Sequence, residues 1–201
     1  MEKKYAMMMN DNIEIIINHG KEKEVHVLYR IRALKNFSDV KKGELGGYIE
    51  NGYNLSQHNL CWVYDDSMVF DKAVVCDNAK IRDYSMVYDN AMIHDAAVIS
   101  YNSRVFGNAR IYGTAHVMNN ASVFGNAYIS DEAAITDNAM VFDDALVHDN
   151  AVVQDGAAVF GYSDIYEHAI ISGNSRVVSK DVNGNTRITA TPEIHIKIKF
   201  E

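Results

Sequence analysis

From Cys61 to Lys180 the chain repeats a six-residue unit twenty times without one insertion or deletion. The rungs begin CWVYDD, SMVFDK, AVVCDN, AKIRDY, SMVYDN and run in register to SRVVSK. The third position is Val or Ile in every rung, from Val63 to Val177, and the first is always Ala, Ser or Cys. Two inward positions separated by one outward residue describe a short strand, because side chains alternate faces along a β-chain. No α-helix, at 3.6 residues per turn, uses a six-residue period. The fifth position is mostly Asp or Gly and the sixth is Asn in nine rungs, residue types that tolerate turns and left-handed backbone angles. Each rung is therefore a strand plus a corner.

If three rungs close one turn, residues eighteen apart become vertical neighbours. The Val and Ile side chains then stack into dry aliphatic columns, and the small first-position residues fit the cramped space beside each corner. Twenty rungs give between six and seven coils, and with strands about 4.8 Å apart the rod stands roughly 30 Å tall.

With these residues in hand, the repeat resembles the bacterial hexapeptide-repeat family, whose coils are triangular and left-handed. The handedness is what the resemblance implies, since general connection rules favour the opposite sense. The Gly or acidic residue usual after the aliphatic position is replaced here by Tyr, Phe, His or Ser, which points to a subgroup. Arg32-Ala33-Leu34, Gly46-Gly47-Tyr48-Ile49-Glu50, Asn54-Leu55-Ser56 and Cys61-Trp62-Val63 together resemble the YdcK-like hexapeptide proteins, common in phages and prophages and often labelled transferases. That likeness covers roughly residues 28–180. The expected fold is all-β: a single-stranded left-handed parallel β-helix of about six to seven coils, with a β-hairpin N-terminal cap and a C-terminal strand.

Three regions follow: an N-terminal β cap over residues 1–60, the β-helix over 61–180, and a C-terminal loop and strand over 181–201. A parallel stack ends in unpaired backbone that invites aggregation unless it is covered. Residues 12–18 and 24–32, joined by polar 19–23, read as a hairpin placed to sit on the first coil. Gly46 and Gly47 read as a tight turn into the rod. Residues 193–200 alternate Ile194, Ile196, Ile198 and Phe200 with polar residues, a one-faced strand able to cap the rod, return along a side, or pair with the hairpin or a neighbouring subunit.

The net charge of −8 is concentrated in the rod, where 16 acidic residues meet 7 basic ones. That excludes direct binding of a nucleic acid backbone, which needs clustered Lys and Arg, and suits a basic partner instead. There is no signal-peptide pattern at Met1, no apolar run long enough to cross a bilayer, and only Cys61 and Cys76 for redox chemistry. The expected setting is the reducing cytoplasm of a bacterial host cell. A bond between inward Cys61 and outward Cys76 is disfavoured by geometry.

Sorting the outward positions by side places Phe70, Tyr88, Phe106, Phe124, Phe142 and Phe160 in one column, with Met68, Met86 and Met140 beside them and Arg104 interrupting. These ten residues form an expected interface, because so large a bare apolar side exceeds what soluble monomers tolerate. Covers are a second or third copy of the chain, its own terminal segments, or a host protein with a basic surface. The expected function is a non-enzymatic scaffold or binding protein, needing no cofactor and no metal. The corner aspartates lack calcium-loop spacing, and turn formation already accounts for them. The alternative implied by the resemblance is an acyltransferase using a coenzyme A thioester, with His94, His116 or His148 as general base.

Overall fold

The computed structural model describes residues 2–19 and 22–190, and every regular element among them is a β-strand. Strands eighteen residues apart pair in parallel: Val69 with Val87, Val87 with Val105, and so on up the aromatic side. The same step joins Ile81 to Ile99 on a second side and Val75 to Ile93 on a third. The molecule is a parallel β-helix of about eight turns, with three sheets as its sides.

The reasons lie in the rung. Its third-position Val and Ile side chains are fully buried along almost the whole stack, so the core is a set of aliphatic columns with almost no polar atom. Where the first position is Ser rather than Ala, the hydroxyl donates to the carbonyl three residues back, as Ser85 does to Arg82 at 2.7 Å and Ser103 to Ser100 at 2.8 Å. The small polar side chain is buried without an unmet hydrogen bond.

Corners are made by the fifth residue alone. Asp65, Asp71, Asp77, Asp83, Asp89, Asp95 and their later counterparts all have φ between 52° and 63°, while no sixth-position Asn does. Asp is used because its carboxylate also accepts the backbone N–H of the equivalent residue one coil on: Tyr101 to Asp83 at 2.9 Å, Gly107 to Asp89 at 2.9 Å, Glu167 to Asp149 at 3.0 Å. The sixth-position amides form a second ladder, Asn90 to Asn108 to Asn126 to Asp144, at 3.0–3.2 Å.

Parallel pairing runs past both ends of the perfect repeat. Strand β3 (Leu45–Ile49) lies on Met68-Val69 with a step of twenty residues, and Leu55 bridges Val75 with the same step. At the far end Asp181-Val182 and Arg187–Ala190 continue two sides with a step of seventeen. The residues 193–200 read as a strand lie outside the described residues.

Gly46 and Gly47 lie inside β3 rather than in a turn. Both approach the next coil too closely for a side chain: a Cβ on Gly46 would come within 2.6 Å of the Trp62 ring, and one on Gly47 within 2.3 Å of the Ser67 carbonyl oxygen.

The hairpin caps the stack. Its strands β1 (Tyr5–His19) and β2 (Glu22–Ala33) pair antiparallel, and β2 pairs with β3, so the aromatic sheet gains two strands at its end. Arg30 fastens β2 to the first coil through Asp66 at 2.9 Å and through the Tyr48 ring, 4.2 Å below its guanidinium. Lys4 is fully buried on Cys61, its ammonium donating to the Cys61 carbonyl at 2.8 Å. The segment after β2 covers Trp62, whose ring meets Phe37 at 5.3 Å, and Asp39 accepts from the Tyr64 hydroxyl at 2.7 Å and from Arg82 at 3.1 Å. The Tyr64 bond in particular holds the Asp39 carboxyl well below the usual carboxylate range.

Candidate functional site

The aromatic side is a continuous column of rings. Phe70, Tyr88, Phe106, Phe124, Phe142 and Phe160 stack with centroids 4.8–5.0 Å apart and planes within 6° of parallel. An in-register parallel sheet forces this spacing, because rings at equivalent positions inherit the distance between strands. Each stacked pair adds about 0.5–1.5 kcal/mol beyond its buried area.

The hairpin buries the start of this column. Leu28 packs in one cluster with Tyr48 and Phe70, while Ile13, Ile15 and Ile17 of β1 join Met68, Met86 and Tyr88 around it. His26 seats its ring 5.1 Å from Phe70 and shares a hydrogen bond with Glu50 at 3.1 Å. Phe70 is accordingly only 1% exposed. Higher up, Phe106, Phe124, Phe142 and Phe160 are half-buried, Met140 and Arg104 are exposed, and Arg176 lies 5.2 Å over the Phe160 ring. The ten residues expected on one side do share it, with their first coils beneath the hairpin and the rest uncovered among the described residues.

The three histidines do not converge. His116 projects from the side that carries Trp62, whereas His94 and His148 belong to the remaining side, three coils apart. His94 stacks on Tyr112 at 5.1 Å and His148 on Tyr166 at 5.3 Å, with planes parallel within 2°. Below His94 in the same column, burial and the neighbouring Asp77 push the Cys76 thiol up to about 11, which leaves little thiolate at neutral pH. Both cysteines are free.

His148 has a carboxylate partner besides the corner residues, which the sequence reading did not anticipate. Its Nε2 lies 3.0 Å from Asp164 on the next coil, and its Nδ1 lies 3.5 Å from Asp149. The contact is diagonal: it joins a fourth position to a second position one coil on, sixteen residues away, and so lies off the eighteen-residue step. The Asp164 bond at Nε2 orients the imidazole, and Nδ1 faces the Asp149 carboxylate, which already accepts from the Glu167 N–H at 3.0 Å.

Two groups bring one ligand atom each within 4.8 Å: Asp77, His94 and Asp95, and Asp131, His148 and Asp149. Their carboxylates already serve the corner ladder. Asp131 Oδ2 accepts from the Ser130 hydroxyl at 2.7 Å, and the Asp95 carboxyl is lowered chiefly by the Gly113 N–H at 3.1 Å.

No family model matches the chain. Over 63 residues it is 38% identical to the uncharacterized acetyltransferase YdcK of Escherichia coli (strain K12), a match spanning 31% of this chain and 19% of that relative. The chain thus matches about a fifth of its relative's length. The parallel β-helix and this partial similarity fit a hexapeptide-repeat protein. No helix among the described residues is long and apolar enough to cross a membrane.

Proposed function

We propose that this chain is a non-enzymatic binding rod whose uncovered ring column docks a second copy of itself. One observation carries this reading: the molecule already seats an aliphatic β-surface on the column. Ile13, Ile15, Ile17 and Leu28 pack against Phe70 and Tyr88, and the same stack continues through Phe106, Phe124, Phe142 and Phe160, where among the described residues only the Arg176 guanidinium lies over its last ring. Apolar area of this extent on a soluble protein marks an interaction surface. Flat, in-register sides suit a two-fold or three-fold assembly of identical rods. A phage or prophage origin would suit such a rod, and the acidic corners beside the column would also accommodate a host protein with a basic surface.

A second reading, coenzyme A-dependent acyl transfer in the bacterial cytoplasm, is favoured by the match to a protein named as an acetyltransferase and by the His148–Asp164 bond. Against it stands the separation of the three histidines, which lie on two sides of the rod with His94 and His148 three coils apart.

Light scattering on Phe106→Asp/Phe124→Asp tests the first reading, with coenzyme A titration of the unaltered chain as its control arm. A wild-type dimer or trimer, a monomeric variant with unchanged β-rich circular dichroism, and no saturable heat with coenzyme A are expected. A wild-type monomer, or a variant whose mass does not change, would remove the interface. Saturable coenzyme A binding lost in His148→Ala would favour the enzyme.

A further inference from the structure

We propose that the gap at Ser130 in the histidine-side ring column is a binding slot for a planar, amine-bearing nitrogen heterocycle that carries no phosphate. Going up this side, the fourth position of each rung reads His94, Tyr112, Ser130, His148 and Tyr166. Rings fill the rungs below and above, and one rung between them holds a serine. Successive rings here sit 5.1–5.3 Å apart with parallel planes. Tyr112 and His148 therefore face each other across two strand spacings, about 10 Å, the separation at which a single intervening ring repeats the spacing of the column. The cavity between them measures about 300 Å³ and is lined by Tyr112, Tyr128, Ser130, Asp131, Leu146 and His148.

Several features distinguish this place from an ordinary serine on a surface. Ser130 is only 6% exposed and forms the floor, with its hydroxyl turned to Asp131 Oδ2 at 2.7 Å rather than up into the gap. His148 is held at Nε2 by Asp164 and cannot swing across the opening without losing that bond. Tyr128 and Leu146 supply an apolar flank. Ser100 and Ser172 occupy the same rung position on the Trp62 side, but no stacked rings bracket them. The gap flanked by two rings occurs once among the described residues.

The surroundings select the ligand. Two π-faces hold a flat ring by stacking, as single bases are held on aromatic side chains. Asp131 Oδ1 accepts no hydrogen bond among the described residues, so a ring amine has an acceptor at the edge of the slot. Asp131, Asp149 and Asp164 together make a phosphate unfavourable there and a positive or donor-rich ring favourable. The occupant is a ligand of a different side from the proposed interface, so this inference does not depend on that reading.

Titration calorimetry with adenosine, purine riboside and AMP, together with NMR of the imidazole and tyrosine ring protons, tests it. Adenosine is expected to bind with upfield shifts of the His148 and Tyr112 ring signals. Purine riboside, which lacks the amine, and AMP, which adds a phosphate, should bind more weakly. Ser130→Phe completes the column and should cost roughly tenfold or more in affinity, while Ser130→Ala keeps the slot and the binding. If Ser130→Phe does not fold, Tyr112→Ala removes one wall and should produce the same loss. Absence of saturable adenosine binding, or binding that survives filling the slot, overturns the proposal.

Discussion

Val123→Asp is expected to leave the chain without a folded rod, whereas Phe124→Asp, one residue on, should keep its β-rich circular dichroism. Val123 is fully buried in an aliphatic column between Val105 and Val141, its neighbours in the parallel sheet. No donor lies within the column to meet a carboxylate, and an unpaired buried charge ranks among the changes that cost more than about 4–5 kcal/mol. That is comparable with the whole stability of many domains, about 5–15 kcal/mol. The Phe124 ring points outward and meets Phe106 and Phe142 at 4.8 and 4.9 Å, so its replacement removes two stacked pairs, about 1–3 kcal/mol together. Thermal melts followed by circular dichroism read both. Equal damage from the two substitutions would contradict the assignment of inside and outside along the strand.

Leu28→Asp is expected to detach the hairpin while leaving the coils intact. Leu28 is fully buried at the centre of the cluster that joins β2 to Tyr48 and Phe70. Truncating a buried Leu costs about 2–5 kcal/mol, and a carboxylate in its place adds a desolvation penalty. Because each coil of a solenoid contacts chiefly its neighbours, the loss stays local. Trypsin should then cut at Arg30 and Arg32, whose backbone is paired within the sheet in the folded hairpin. Uncovering Phe70 and Tyr88 lengthens the bare ring column, so dye binding and particle mass should rise together. Unchanged protease resistance would mean that the hairpin is not seated on the column through this residue.

The coils were legible because the repeat is unbroken: Val or Ile every six residues names the inward position, and the eighteen-residue step then names every vertical neighbour. The aromatic column followed from the same step. What escaped the sequence reading departs from that arithmetic. The first and last coils use steps of twenty and seventeen residues, as in Tyr48 beside Met68 and Ile170 beside Arg187, so their Ile49 and Ile188 fall out of register. Gly46 and Gly47 looked like a turn because glycine has two uses, and close approach to Trp62 and Ser67 is visible only in three dimensions. The Asp164 contact of His148 joins a second position to a fourth position, a diagonal that sorting by rung position alone does not align. Ser130 was visible in its column, but a small polar residue carries no signal of its own. It acquires meaning from the rings on either side.

The eighteen-residue winding underlies the interface, the slot and the buried columns alike, and a disulfide reports on it directly. In a Cys76→Ser background, Phe124→Cys with Phe142→Cys places two thiols on adjacent strands of one side, where strand spacing falls within the Cα range a disulfide spans. Met118→Cys with Phe124→Cys, only six residues apart in sequence, places them on different sides. After mild oxidation, mass spectrometry of the peptides should find an intramolecular bond in the first pair and none in the second. A bond in the second pair, or none in the first, would contradict the winding.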